Sequence, residues 1–100
     1  MPGTTTSNMF FYVYVLESLK DGERYIGITN DLKRRIEEHN NGRNFGTSYR
    51  RPFKLIYCEI CTNEDDAKRR EKYLKCTGGR RFLAKRLRCC YASRASSLKL

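Results

Sequence analysis

No stretch of about 18 apolar residues occurs in this 100-residue chain, so a transmembrane helix is not expected. No Walker loop, GxGxxG, HExxH or GxSxG is present either, which removes familiar nucleotide-binding, zinc-protease and serine-hydrolase signatures. Histidine occurs once, at His39, so a Ser/His/acid triad would have to use that one ring. The first eight residues, MPGTTTSN, lack the basic and apolar regions of a secretion leader, and the expectation is a cytoplasmic protein. Acidic residues are scarce too: eleven against twenty-one Lys and Arg, for a formal charge of +10. At this length a second domain does not fit, and one modest core must carry the fold.

Five cysteines, at positions 58, 61, 76, 89 and 90, form an odd set and read as reduced thiols. Cys58 and Cys61 match C-x-x-C, but FKLIYCEIC at 53–61 reads as a strand, in which residues three apart point to opposite faces. No second ligand pair at knuckle spacing follows, and a zinc centre is not expected.

What the chain does have is positive charge in one place. Residues 1–50 hold seven basic and six acidic side chains, whereas 51–100 hold fourteen and five. Between Lys68 and Arg88, ten bases accompany a single acid, Glu71. Such density is either a solvated face or a footprint for a polyanion, and nucleic acid is the expected partner. The cations expected to meet phosphate are Lys33, Arg34, Arg50, Arg51, Lys68, Arg69, Lys72, Arg80 and Arg81. Phe45 and Tyr49, in the basic 43–51 loop, offer rings on which bases can stack.

The pattern divides into a polar N-terminal segment (1–9), a domain (10–90) and a flexible C-terminal tail (91–100). FFYVYVLES at 10–18 and RYIGIT at 24–29 read as strands joined by an Asp21-Gly22 hairpin. A two-residue turn there makes paired positions sum to 43 and puts Tyr14 and Tyr25 on one face. Asn30 or Asp31 caps a helix running to about His39, with Leu32 and Ile36 inward and Asn40-Asn41-Gly42 closing it. Arg35 and His39, four apart, share a helix face. After the third strand, Thr62-Asn63-Glu64-Asp65 resembles a capping box opening a helix through Lys75. Thr77-Gly78-Gly79 is expected to end it, with a further helix from Arg81 to about Cys90. Docking the third strand beside the first makes every pair antiparallel. The fold class is therefore α+β, with a three-stranded antiparallel sheet in order 2-1-3 flanked by helices.

Tyr12-Val13-Tyr14, ten residues, Tyr25-Ile26-Gly27, then Lys33-Arg34-Arg35 with His39, and downstream Arg70-Glu71, form a combination that resembles the GIY-YIG nuclease domain, particularly single-domain proteins similar to the N-terminal domain of the excision-repair subunit UvrC. The likeness runs from about Phe10 to Leu87. It implies catalytic roles for Tyr14, Tyr25, Arg35, His39 and Glu71, with Glu71 binding a single magnesium or manganese ion. Tyr12 stands in place of the first glycine, and Ile28 where the UvrC branch carries lysine. The implied activity is metal-dependent endonucleolytic hydrolysis of DNA, in linear, flap, branched or single-stranded form, in repair or recombination.

Elementary chemistry is consistent with those residue types. Phosphodiester hydrolysis needs an activated water and groups that bear charge on the phosphoryl and leaving oxygens. Magnesium keeps several waters and accepts one or two carboxylates, so Glu71 alone is a feasible ligand. A tyrosine near its reference pKa of about 10 is a poor base unless cations depress it. Each residue also has a plainer reading: Tyr14 and Tyr25 as core aromatics, Arg35 as one of a solvated KRR run, His39 as a helix C-terminal cap, Glu71 as partner of Lys68, Arg70 or Lys75. The alternatives for the whole chain are a non-cleaving nucleic-acid-binding module of the same fold, and an interaction protein whose basic helix docks an acidic partner.

Overall fold

The computed structural model describes residues 9–44 and 46–98. The polar segment before Met9 and the stacking candidate Phe45 lie outside the described residues. In chain order the elements are β1 (Phe11–Ser18), β2 (Arg24–Thr29), α1 (Leu32–Asn40), β3 (Phe53–Cys61), α2 (Glu64–Leu74), α3 (Thr77–Arg86) and α4 (Arg88–Leu98), with a 3₁₀ turn at Ser48–Arg50 before β3. The sheet is antiparallel throughout, in the order β2-β1-β3 expected from the sequence. Among the described residues no helix is long and apolar enough to cross a membrane.

β1 is central because its side chains can be buried on both faces. Val13 to Ser18 are all buried. Val13 and Val15 pack with Ala67, Leu74 and Leu83 on one side, against α2 and α3. Tyr14, Leu16 and Phe53 pack on the other, beneath Leu32 and Ile36 of α1. Each fully buried aliphatic side chain contributes about 1.5–3 kcal/mol.

The β1–β2 connection is longer than a two-residue turn. Leu16 pairs with Tyr25 and Tyr14 with Gly27, so paired positions sum to 41. A two-residue type I′ turn needs positive φ at both central residues, and here only Gly22 has it, at 76°. The Ser18 hydroxyl instead accepts from the Lys20 and Asp21 N–H groups, each at 3.1 Å, and widens the loop. Parity survives the change, and Tyr14 and Tyr25 do share a face.

β3 carries a bulge. Val15 pairs with Tyr57 but Leu16 with Leu55, leaving Ile56 as the extra residue. Beyond the bulge the alternation flips, which turns Phe53 into the Tyr14 face. Cys58 and Cys61 both lie on the C-terminal side of the bulge, so they point to opposite faces as expected, paired with Tyr14 and Phe11.

Caps fall close to the expected positions. Asp31 Oδ1 accepts from Arg34 N at 3.2 Å to open α1, and Gly42 follows its end with φ at 75°. Asn63, not Thr62, caps α2, its side chain accepting from the Asp65 and Asp66 N–H groups. The expected break at Thr77-Gly78-Gly79 is instead the first turn of α3. Gly79 serves packing: a Cβ there would collide with the Tyr73 carbonyl oxygen and Leu74 Cα, so its absence lets α3 close onto the end of α2. The chain breaks at Leu87, and α4 occupies the stretch to Leu98 that was expected to be a loose tail.

Candidate active site

On the α1 face of the sheet, Tyr14 from β1, Tyr25 from β2, and Arg35 and His39 from α1 meet. The Tyr14 and Tyr25 ring centroids lie 6.2 Å apart, and His39 sits 4.7 Å from Tyr25 and 6.0 Å from Tyr14. Phe53 closes the cluster at 5.8 Å from the imidazole. Gly27 makes the arrangement possible, because a Cβ on it would lie 2.5 Å from the Tyr14 hydroxyl oxygen. The Tyr14 side chain thus crosses over β2, the strand at the sheet edge.

Polar atoms converge on that hydroxyl. Arg35 Nε–H donates to it at 3.3 Å, and His39 Nε2 lies 3.1 Å away. Arg35 also donates through Nη1 to Glu38 at 3.2 Å, and its side chain is 36% exposed, so the guanidinium spans from the buried hydroxyl to the surface. His39 is fully buried, and its other nitrogen, Nδ1, is 2.9 Å from the Thr47 hydroxyl. Burial first, and Arg35 second, hold the imidazole below its ordinary pKa, so the ring is neutral at pH 7. Burial also pushes the Tyr14 phenol up to about 12, against the opposing pull of its hydrogen bond from Arg35. The cationic neighbourhood therefore does not make a free phenolate; what it presents is a phenol gripped by a donor on one side and a neutral ring on the other.

The fifth expected residue, Glu71, comes from a different helix. It lies on α2, the helix whose Ala67 and Leu74 pack the opposite sheet face, and its carboxylate pairs with Lys75 at 3.1 Å. No hydrogen bond or ion pair joins it to Tyr14, Tyr25, Arg35 or His39 among the described residues. Those residues also hold no group of three or more His, Cys, Asp or Glu side chains arranged around a metal ion. As a donor, a half-buried carboxylate fits a hard cation that retains most of its water.

A shallow groove of about 340 Å³ adjoins Arg35, with Arg34, Glu38, Ile28 and Glu64 in its walls. Glu38 and Thr47 were not singled out by the sequence, and Glu64 was read only as part of a capping signal. Glu38 was legible in retrospect as an i+3 neighbour of Arg35, whereas Thr47 had only its place in a polar loop after the helix.

The expected phosphate-binding cations separate into groups. Lys33, Lys72, Arg80 and Arg81 are exposed. Arg34, Lys68 and Arg69 are exposed but carry ion pairs with Asp31 and Glu38, with Glu64, and with Asp66. Such surface pairs are worth about 0–1 kcal/mol and open readily. Arg51 folds its guanidinium over Gly42. Arg50 is turned inward: its side chain is only 15% exposed and pairs with Asp21 at 3.4 Å, tying the 3₁₀ turn to the β1–β2 loop. It is a structural anchor, and the basic loop alone did not reveal that. Tyr49 remains exposed.

Comparison with known proteins gives the same pattern. A family model described as the GIY-YIG catalytic domain matches residues 10–85. The UPF0213 protein CPE1444 of Clostridium perfringens is 46% identical over 67 residues, covering 64% of this chain and 69% of that protein. The UPF0213 protein YazA of Bacillus subtilis is 41% identical over 71 residues, covering 70% and 69%. The solution NMR structure of the UPF0213 protein BH0048 from Bacillus halodurans is 35% identical, covers 77% of this chain and 84% of that one, and superposes with a TM-score of 0.49. With the tyrosine pair, the arginine and the histidine drawn together inside the matched span, the chain belongs to the GIY-YIG catalytic domain family.

Proposed function

We propose that this protein is a metal-dependent endonuclease that hydrolyses phosphodiester bonds in DNA, acting in repair or recombination. The observation that carries the reading is the Tyr14 hydroxyl held between Arg35 Nε and His39 Nε2. A phenol with a pKa of about 12 does not act as a base by ionising into solvent. It can act by relay: as the attacking water gives its proton to the Tyr14 oxygen, the phenol proton passes to the neutral His39 Nε2, and one proton has moved from water to imidazole. Arg35 stabilises charge at both ends, at the phenol oxygen through Nε and at the phosphoryl oxygens through its exposed edge. Tyr25 packs the imidazole in place. Glu71 would hold magnesium or manganese, which when bound would neutralise charge on the substrate oxygens. The exposed bases of α2 and α3 would bind the flanking backbone.

A second reading, a non-cleaving nucleic-acid-binding module of the same fold, is favoured by one observation: the Glu71 carboxylate is already paired with Lys75. Tyr14→Phe separates the two. It keeps the ring and removes the hydroxyl, so the nuclease reading expects cleavage of labelled DNA to fall by about 10² to 10⁴ with binding and fold retained. Cleavage at the wild-type rate would remove the hydroxyl from the mechanism.

A further inference from the structure

We propose that Thr47 is a positioning residue that holds His39 in the tautomer with its proton on Nδ1, leaving the Nε2 lone pair toward the Tyr14 hydroxyl. Its part in cleavage rests on the nuclease reading; the tautomer does not.

Donor and acceptor capacities fix the direction of each hydrogen bond. Arg35 Nε can only donate, so the Tyr14 oxygen accepts there and its own hydrogen is free to point at His39 Nε2. A neutral imidazole that accepts at Nε2 carries its hydrogen on Nδ1, which donates to Thr47 Oγ1 at 2.9 Å. The Thr47 hydroxyl in turn donates to the Asn44 carbonyl at 3.4 Å. Every hydrogen along Arg35, Tyr14, His39, Thr47 and Asn44 then has an acceptor, and the chain runs in one direction. The opposite tautomer would turn the Thr47 hydrogen away from Asn44 and aim a second N–H at the Tyr14 oxygen. The phenol hydrogen would then leave the imidazole, and no relay could start.

Burial makes the choice consequential. His39 is 0% and Thr47 1% exposed, so water is not at hand to replace either partner. Thr47 is itself fixed by the loop: its N–H donates to the Asn44 carbonyl at 3.1 Å, and its own carbonyl accepts from Arg50 N at 2.9 Å. Among the described residues the charged and titratable groups facing the ring are Tyr14, Tyr25, Arg35 and Glu38, and the hydrogen-bond partner of Nδ1 is the Thr47 hydroxyl.

The test is nitrogen-15 NMR of the imidazole in the full chain at pH 8, for wild type, Thr47→Val and Thr47→Ser. The expected result is an Nδ1–H tautomer in wild type and Thr47→Ser, and a shift toward Nε2–H in Thr47→Val. In parallel, DNA cleavage should fall at least 10²-fold in Thr47→Val with binding kept, and return to within a few-fold of wild type in Thr47→Ser. A wild-type ring carrying its proton on Nε2, or a valine variant with unchanged tautomer, overturns the proposal. Should the valine variant not fold, Thr47→Ala is read by the same criteria. If the tautomers behave as stated but wild type cuts no DNA, the positioning role stands and the nuclease reading fails.

Discussion

His39 shows how a single residue ties stability to chemistry. Its ring is buried between Tyr14, Tyr25, Phe53 and Thr47, and its pKa in the folded chain lies below the ordinary value of about 6.5. The unfolded chain therefore binds a proton that the folded one refuses. Stability contributed by the neutral ring is fully present above pH 6.5 and is lost as pH falls from there toward the folded pKa. Urea unfolding between pH 8 and 5 should show wild type losing more stability on acidification than His39→Gln; equal slopes would mean that His39 is not held neutral. Cleavage should decline over the same range, because an imidazolium has no lone pair for the Tyr14 proton. At this scale the shared face of Tyr14 and Tyr25 and the shared helix face of Arg35 and His39 were legible from local spacing, whereas their grouping into one site was implied only by the family resemblance. Thr47 and the inward turn of Arg50 were not legible, since a loop side chain finds its partner only once distant elements have packed.

Between elements, close approaches do most of the positioning. Gly27 admits the Tyr14 ring over β2, and Gly79 admits α3 against the last turn of α2. The second of these was misread from sequence as a break, because glycine is both a helix terminator and the residue that permits contact, and only the neighbour distinguishes them. Gly79→Ala should therefore destabilise despite its better helix propensity, since overpacking costs about 1–3 kcal/mol against a propensity gain of about 1. A lowered denaturation midpoint is expected; an unchanged or raised one would mean that the helices separate without cost. The all-antiparallel pairing was legible once the third strand was docked beside the first. The length of the β1–β2 loop was not, because it depends on the Ser18 hydroxyl capturing two N–H groups. Nor was the Ile56 bulge, which depends on which face needs Phe53.

Over the whole molecule, the +10 charge sits on a scaffold whose site lies on one sheet face and whose α2 and α3 pack the other. Arg50 and Arg70 are committed internally, to Asp21 and Glu59, whereas Lys72, Arg80 and Arg81 remain exposed. If five cations of the 68–88 stretch contact duplex, log K should fall with log salt at a slope of about −4 to −5, read by fluorescence anisotropy. A slope near zero would remove the footprint. The central claim is that this small domain cuts DNA, and it is met most directly by incubating the full chain with end-labelled linear, flap, junction and single-stranded DNA, with magnesium and with chelator, beside Glu71→Gln. Magnesium-dependent cleavage of at least one substrate by wild type is expected, while Glu71→Gln leaves DNA intact and binds it as tightly or more so. DNA bound by both proteins and cut by neither, in magnesium or manganese, would contradict that claim.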